Sequence, residues 1–127
     1  MGALSTIGTV GVGGAVGSLA RHGVNLAVAY VFGRPVPYAT AAVNLTGSAV
    51  IGLLAGLIAS GRLTMTPHMR TFVFVGLLGG FTTFSSFMLD TLTLTQTGER
   101  ALALSNAAGQ VAAGMLAVYV CYNLAAR

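Results

Sequence analysis

Residues 76–90 read GLLGGFTTFSSFMLD. Inside an apolar run they set a glycine pair, Gly79 and Gly80, ahead of four hydroxyls, Thr82, Thr83, Ser85 and Ser86, with Phe84 and Phe87 three residues apart. A helix interrupted here in lipid offers two chemistries. The half that ends leaves carbonyls at the break, suited to a hard cation such as Na+. The half that begins presents free N–H groups and hydroxyls at a positive dipole end, suited to an anion. Phe84 and Phe87 share a helix face, and the positive edge of an aromatic ring can face a small anion. The same residues have plainer uses: glycines permit close packing, Thr and Ser bond back to carbonyls one turn earlier, and phenylalanines meet lipid or core.

Other polar side chains stand in apolar surroundings. Asn44 opens a face of small residues continued by Gly47, Ser48, Gly52 and Gly56; it can serve a pore or clasp a neighbouring helix. Asn106 and Gln110 are i, i+4, with Gly114 one turn further. Two aligned amides must face protein or water, as a polar track or as a helix clasp. Arg21 lies deep in its segment beside His22, placed either to snorkel to the interface or to gather anions. Asp90 is a candidate partner for Arg21 or another Arg, and His68, after Pro67, is expected in a solvated loop. Cys121 is single, which excludes an internal disulfide and any multi-cysteine metal site.

The elements that must position these groups follow from composition. The 127 residues are 55% hydrophobic and 6% charged, the balance of a chain that resides in a bilayer. Six arginines against Asp90 and Glu99 give a net charge of +4, but they are dispersed and form no basic patch, which argues against nucleic acid as a partner. Four spanning segments are expected, at 5–32, 37–60, 69–95 and 100–125, in one domain over 1–127. The first is too long and lacks the basic start of a signal peptide. The stretch from 69 to 78 is about 15 Å of helix, so a break at Gly79 and Gly80 falls near the midplane. There, unwound backbone needs protein partners. Arg62, Arg70 and Arg127 on one side against Arg34 and Arg100 on the other give little orientation bias. A chain so balanced can insert both ways and pair antiparallel, or take one fixed topology set by features other than charge, and the steps Gly13 to Gly17 and Gly52 to Gly56 favour a dimer. No nucleophile with a base, phosphate loop or metal cluster points to an enzyme.

Three stretches, GGFTTFSSF at 79–87, NLTGS at 44–48 and GSLAR at 17–21, closely resemble the Fluc (CrcB) fluoride channels, and the likeness extends over essentially the whole chain. The resemblance implies an all-α membrane protein with a broken third helix, forming an antiparallel dual-topology dimer in the cell membrane. It implies two fluoride pores at the subunit interface and a structural Na+ on the two-fold axis, held by the backbone carbonyls of Gly79 and Thr82. Phe84 and Phe87 would form the aromatic box, Asn44 would donate to fluoride, and Thr83 and Ser85 would support the break. Arg21 would sit at the vestibule. The implied function is passive fluoride export that relieves toxicity after HF enters and dissociates. Where the family usually carries Tyr and Ser on the fourth helix, this chain has Asn106 and Gln110, and Asp90 stands where Glu is usual. Amides can still donate to an anion, and the change also admits pairing with a paralogous subunit or an accessory role. A small multidrug exporter would need a carboxylate in the first helix and aromatic groups for cations; that helix has no Asp or Glu and the chain has no Trp.

Overall fold

The computed structural model describes residues 2–33 and 37–127; Arg34, counted above among the loop charges, and most of the GRPVP loop lie outside the described residues. Among the described residues every regular element is a helix. The elements are α1 (Ala3–Phe32), α2 (Tyr38–Ala59), α3 (Pro67–Arg70), a π-helical segment (Thr71–Leu77), α4 (Leu78–Phe81), α5 (Ser85–Gln96) and α6 (Arg100–Ala126). Four spans are long and apolar enough to cross a bilayer: α1, α2, the composite Pro67–Gln96, and α6. The outward residues of α1, such as Leu4, Ile7, Leu19 and Leu26, are apolar and exposed, as a lipid-facing surface requires. The protein is a multi-pass membrane protein.

The third span starts at Pro67, which fits the first helical position because its missing N–H would be unpaired there anyway. Thr66 caps it by accepting from Met69 N–H at 3.2 Å. His68 therefore sits in a helical turn, exposed, rather than in the loop expected for it. The helix also runs on through Gly79 and Gly80, and the interruption falls at Thr82–Phe84. The expectation of unwinding at the glycine pair is thus displaced by a few residues. The reason is packing: a Cβ on Gly80 would lie 2.5 Å from the Gly14 carbonyl oxygen, so this glycine permits α1 to approach a continuous helix.

Two parallel helix pairs build the chain. In the first, Gly13 of α1 meets Phe72 and Gly76 while Gly17 meets Leu77 and Phe81, so both helices progress in the same direction. In the second, Gly52 of α2 sits on Val118 and Gly56 on Tyr122 of α6, and Ser60 Oγ donates to the Ala125 carbonyl at 3.1 Å. Arg62 closes this end by donating to Ser60 Oγ and to the Ala125 carbonyl. Without a hydrophobic force between helices in lipid, such backbone-to-backbone approach supplies the attraction. The Gly13–Gly17 and Gly52–Gly56 steps are therefore used within the chain's own packing, and they lend no support to a dimer.

Substitutions separate the two kinds of glycine. Gly17→Ile, whose Cβ would overlap the Leu77 carbonyl, should destabilise the protein by about 1–3 kcal/mol in thermal unfolding in detergent. Gly11→Ala, with nothing near its Cβ position, should be neutral or stabilising by roughly 0.5–1 kcal/mol.

Candidate functional site at the helix break

At the break, Thr82 is extended (φ −82°, ψ 161°). Its N–H and hydroxyl both donate to the Leu78 carbonyl, at 3.0 and 2.9 Å, and so end the first half-helix on one acceptor. Thr83 then turns away from the helix axis. A continuous helix would send its N–H to the Gly79 carbonyl; here it donates to Asn44 Oδ1 at 2.9 Å. Asn44 Nδ2 returns a bond to the Thr83 carbonyl at 3.0 Å. One amide thus pairs both backbone groups of one residue, as a neighbouring strand would. The side chain of Thr83 starts the second half: its Oγ1 accepts from Ser86 N–H at 3.3 Å and donates to Ser86 Oγ at 3.1 Å.

These substitutions release backbone groups. With Thr83 and Ser86 N–H diverted, the carbonyls of Gly79 and Thr82 accept no backbone bond across the break. The hard oxygens expected for a cation are thus open, and Gly79 and Thr82 both line a cleft of about 490 Å³ that also takes in Asn44, Ser48 and Phe84. Gly47 borders it because any side chain there would collide with the Thr82 methyl.

The two phenylalanines meet edge to face, with ring centroids 5.9 Å apart and planes at 65°. They differ in surroundings: Phe87 is 4% exposed and Phe84 is 72% exposed. Ser85 is exposed and its hydroxyl makes no hydrogen bond among the described residues. Arg21, half-buried, lines a smaller polar cavity of about 270 Å³ with His22, Thr40, Thr83 and Ser86. Asp90 makes no ion pair with Arg21 among the described residues; its Oδ2 accepts from the buried Thr40 hydroxyl at 2.6 Å.

Asn106 and Gln110 join the break. Asn44 Nδ2 donates to Gln110 Oε1 at 3.0 Å, Gln110 Nε2 to Asn106 Oδ1 at 2.9 Å, and Asn106 Nδ2 to Thr91 Oγ1 at 2.9 Å. Thr91 passes its hydrogen to the Phe87 carbonyl at 2.9 Å. Among the described residues no buried side-chain polar atom lacks a partner. The sequence reading missed Thr91 and Thr40. Thr91 is disguised by Thr93 and Thr95, which bond back to their own helix in the same way, whereas only Thr91 also meets an amide.

The family model described as CrcB-like protein, Camphor Resistance (CrcB), matches residues 8–122. A protein of Paramagnetospirillum magneticum named fluoride-specific ion channel FluC is 42% identical over 116 residues, covering 91% of this chain and 91% of its own. Bearing the same name, a Magnetococcus marinus protein is 44% identical over 114 residues, 90% of this chain and 92% of its own. A third, from Paracoccus denitrificans, is 45% identical over 109 residues, 86% of this chain and 85% of its own.

Removing the Asn44 amide should cost stability at the break itself. Asn44→Leu strands the Thr83 N–H and carbonyl, each worth about 1–3 kcal/mol when buried and unpaired. A lower melting temperature in detergent, with faster hydrogen exchange at Thr83 and little change at Gly52, is the expected result.

Proposed function

The chain belongs to the CrcB family, and on that premise we propose that it is a passive, fluoride-selective channel of the cell membrane that lets cytoplasmic fluoride leave and so relieves its toxicity. The relatives are named as ion channels rather than enzymes. The observation that carries the reading is the composition of the break: amide, hydroxyl and aromatic edge converge on one cleft at mid-span. Fluoride is small and tightly hydrated, so a pore must replace its shell with close donors. Asn44 and the hydroxyls of Thr83 and Ser85 supply such donors, and the ring edges of Phe84 and Phe87 supply positive surface without large conformational freedom. Arg21 draws anions toward the polar cavity beside Thr83. Asn106 and Gln110 continue the donor path with amides in place of hydroxyls.

One chain does not complete this machinery. The carbonyls of Gly79 and Thr82, two of those the break leaves without a backbone donor, are fewer oxygens than a hard cation takes. Two copies arranged antiparallel about a two-fold axis would bring four, enough to hold a structural Na+ between the breaks. The same arrangement would cover Phe84, which stands 72% exposed beside the cleft. The protein in this reading is a dual-topology homodimer embedded in lipid. Pairing with a paralogous subunit is the second reading, favoured by the amides at Asn106 and Gln110.

Fluoride and chloride efflux from liposomes holding the purified chain alone, with an ionophore to collapse the potential, tests the proposal. Fluoride should leave rapidly and chloride should stay. Phe84→Ile and Asn44→Asp should each lower fluoride efflux by at least about tenfold, the worth of one good hydrogen bond or aromatic contact. A folded dimer that passes no fluoride would contradict the homodimeric channel and direct the search to a partner subunit.

A further inference from the structure

The Asn44 nitrogen has two hydrogens, and both are committed, to the Thr83 carbonyl and to Gln110 Oε1, each at 3.0 Å. Its orientation is not free to change, because the Thr83 N–H requires an oxygen opposite it. The polarity of everything beyond is then dictated. Gln110 must turn its oxygen to Asn44 and its nitrogen to Asn106; Asn106 must turn its nitrogen to Thr91; Thr91 must pass its hydrogen to the Phe87 carbonyl. An anion that reaches Asn44 in this state finds a carbonyl oxygen already in the place where it would bind.

The reverse polarity satisfies the same groups with one exception. If Gln110 and Asn106 each turn their amides by half a rotation, Thr91 can donate to Asn106 Oδ1, Asn106 Nδ2 to Gln110 Oε1, and Gln110 Nε2 points at Asn44. An amide rotated in this way keeps its shape, and a hydroxyl serves equally as donor or acceptor. The Phe87 carbonyl keeps its intrahelical bond. The exception is a pair of N–H groups, on Asn44 and Gln110, that face each other without an acceptor. A bound anion is what that pair lacks.

Resting on the channel reading above, we propose that Gln110 is an anion-operated gate: fluoride taken between Asn44 Nδ2 and Gln110 Nε2 reverses the hydrogen-bond chain through Asn106 to Thr91. Gln110 touches the ion, whereas Asn106 and Thr91 are positioning residues that act through it. No bond to hydrogen is broken; only the Thr91 hydroxyl and two amides rotate. The location suits a gate. Asn44 lines the cleft of about 490 Å³ and Gln110 lines a separate cavity of about 240 Å³ with Asn106, so their bond lies in the wall between the two. Opening it displaces a good acceptor, so the displacing ion must be a better one, which fluoride is and chloride is not.

The test is NMR of the full-length protein in lipid bilayers, with nitrogen-labelled Asn and Gln side chains and labelled Thr methyls, titrated with sodium fluoride or sodium chloride beside a flux assay on the same preparation. The chain has two glutamines, Gln96 and Gln110, so assignment is direct. The Gln110 and Asn106 amides and the Thr91 methyl should shift together at one fluoride concentration and ignore chloride. In Asn106→Leu, which cuts the chain, Gln110 should still respond and Thr91 should not. Intact fluoride flux with a silent Gln110, or a Thr91 that still responds in Asn106→Leu, would overturn the gate and leave the channel reading standing. Absence of both flux and response would overturn both.

Discussion

A helix cannot give up backbone hydrogen bonds inside a bilayer unless something else accepts and donates in their place. In this protein that something is one side chain. The Asn44 amide takes the Thr83 N–H and returns a bond to the Thr83 carbonyl, which lets the third span stop and restart near its middle. Everything at the site follows from that substitution. Carbonyls of the first half open toward a cleft, the hydroxyl of Thr83 caps the second half, and Phe84 is turned out of the helix beside them. Without the amide both backbone groups of Thr83 would stand unpaired at that depth.

For Asn44 to act, α2 must lie close to the break, and the glycines accomplish this. Gly47 leaves room for the Thr82 methyl, while Gly52 and Gly56 bring α2 against α6, placing Gln110 within reach of Asn44. On the other side, Gly13, Gly17 and Gly80 clamp α1 to the third span. The site is therefore a consequence of two tight parallel pairs rather than of the loops. It also explains how a chain with 6% charged residues can carry a polar path at all: the polar groups are paired to one another before any ion arrives.

Much of this was legible from residue types. Four spans and an interruption in the third follow from hydropathy and from the stretch at 79–87, whereas the grouping of Asn44 with Thr83, Phe84 and Phe87 comes from the family resemblance that this stretch and NLTGS at 44–48 carry. The position of the interruption did not. Gly79 and Gly80 look like the weakest point of the helix, yet helix propensity there is outweighed by contact with α1, and the break moves to residues whose hydroxyls can end and restart a helix. The glycine steps misled in the same manner, since the small-residue spacing that brings two helices together is the same within a subunit as between subunits. Asp90 accepts from the buried Thr40 hydroxyl, and among the described residues it pairs with no arginine. The continuity from Asn44 to Thr91 was hidden because it joins three helices, and no spacing along the chain encodes it.

The central claim is that Thr83 N–H leaves its own helix for a side chain, and solid-state NMR in lipid bilayers can observe this bond directly. With the Thr83 amide nitrogen and the Asn44 side-chain carbonyl carbon labelled, the account predicts strong dipolar coupling between the two. Coupling instead from the Thr83 nitrogen to the Gly79 carbonyl, with none to Asn44, would show an unbroken helix and contradict it.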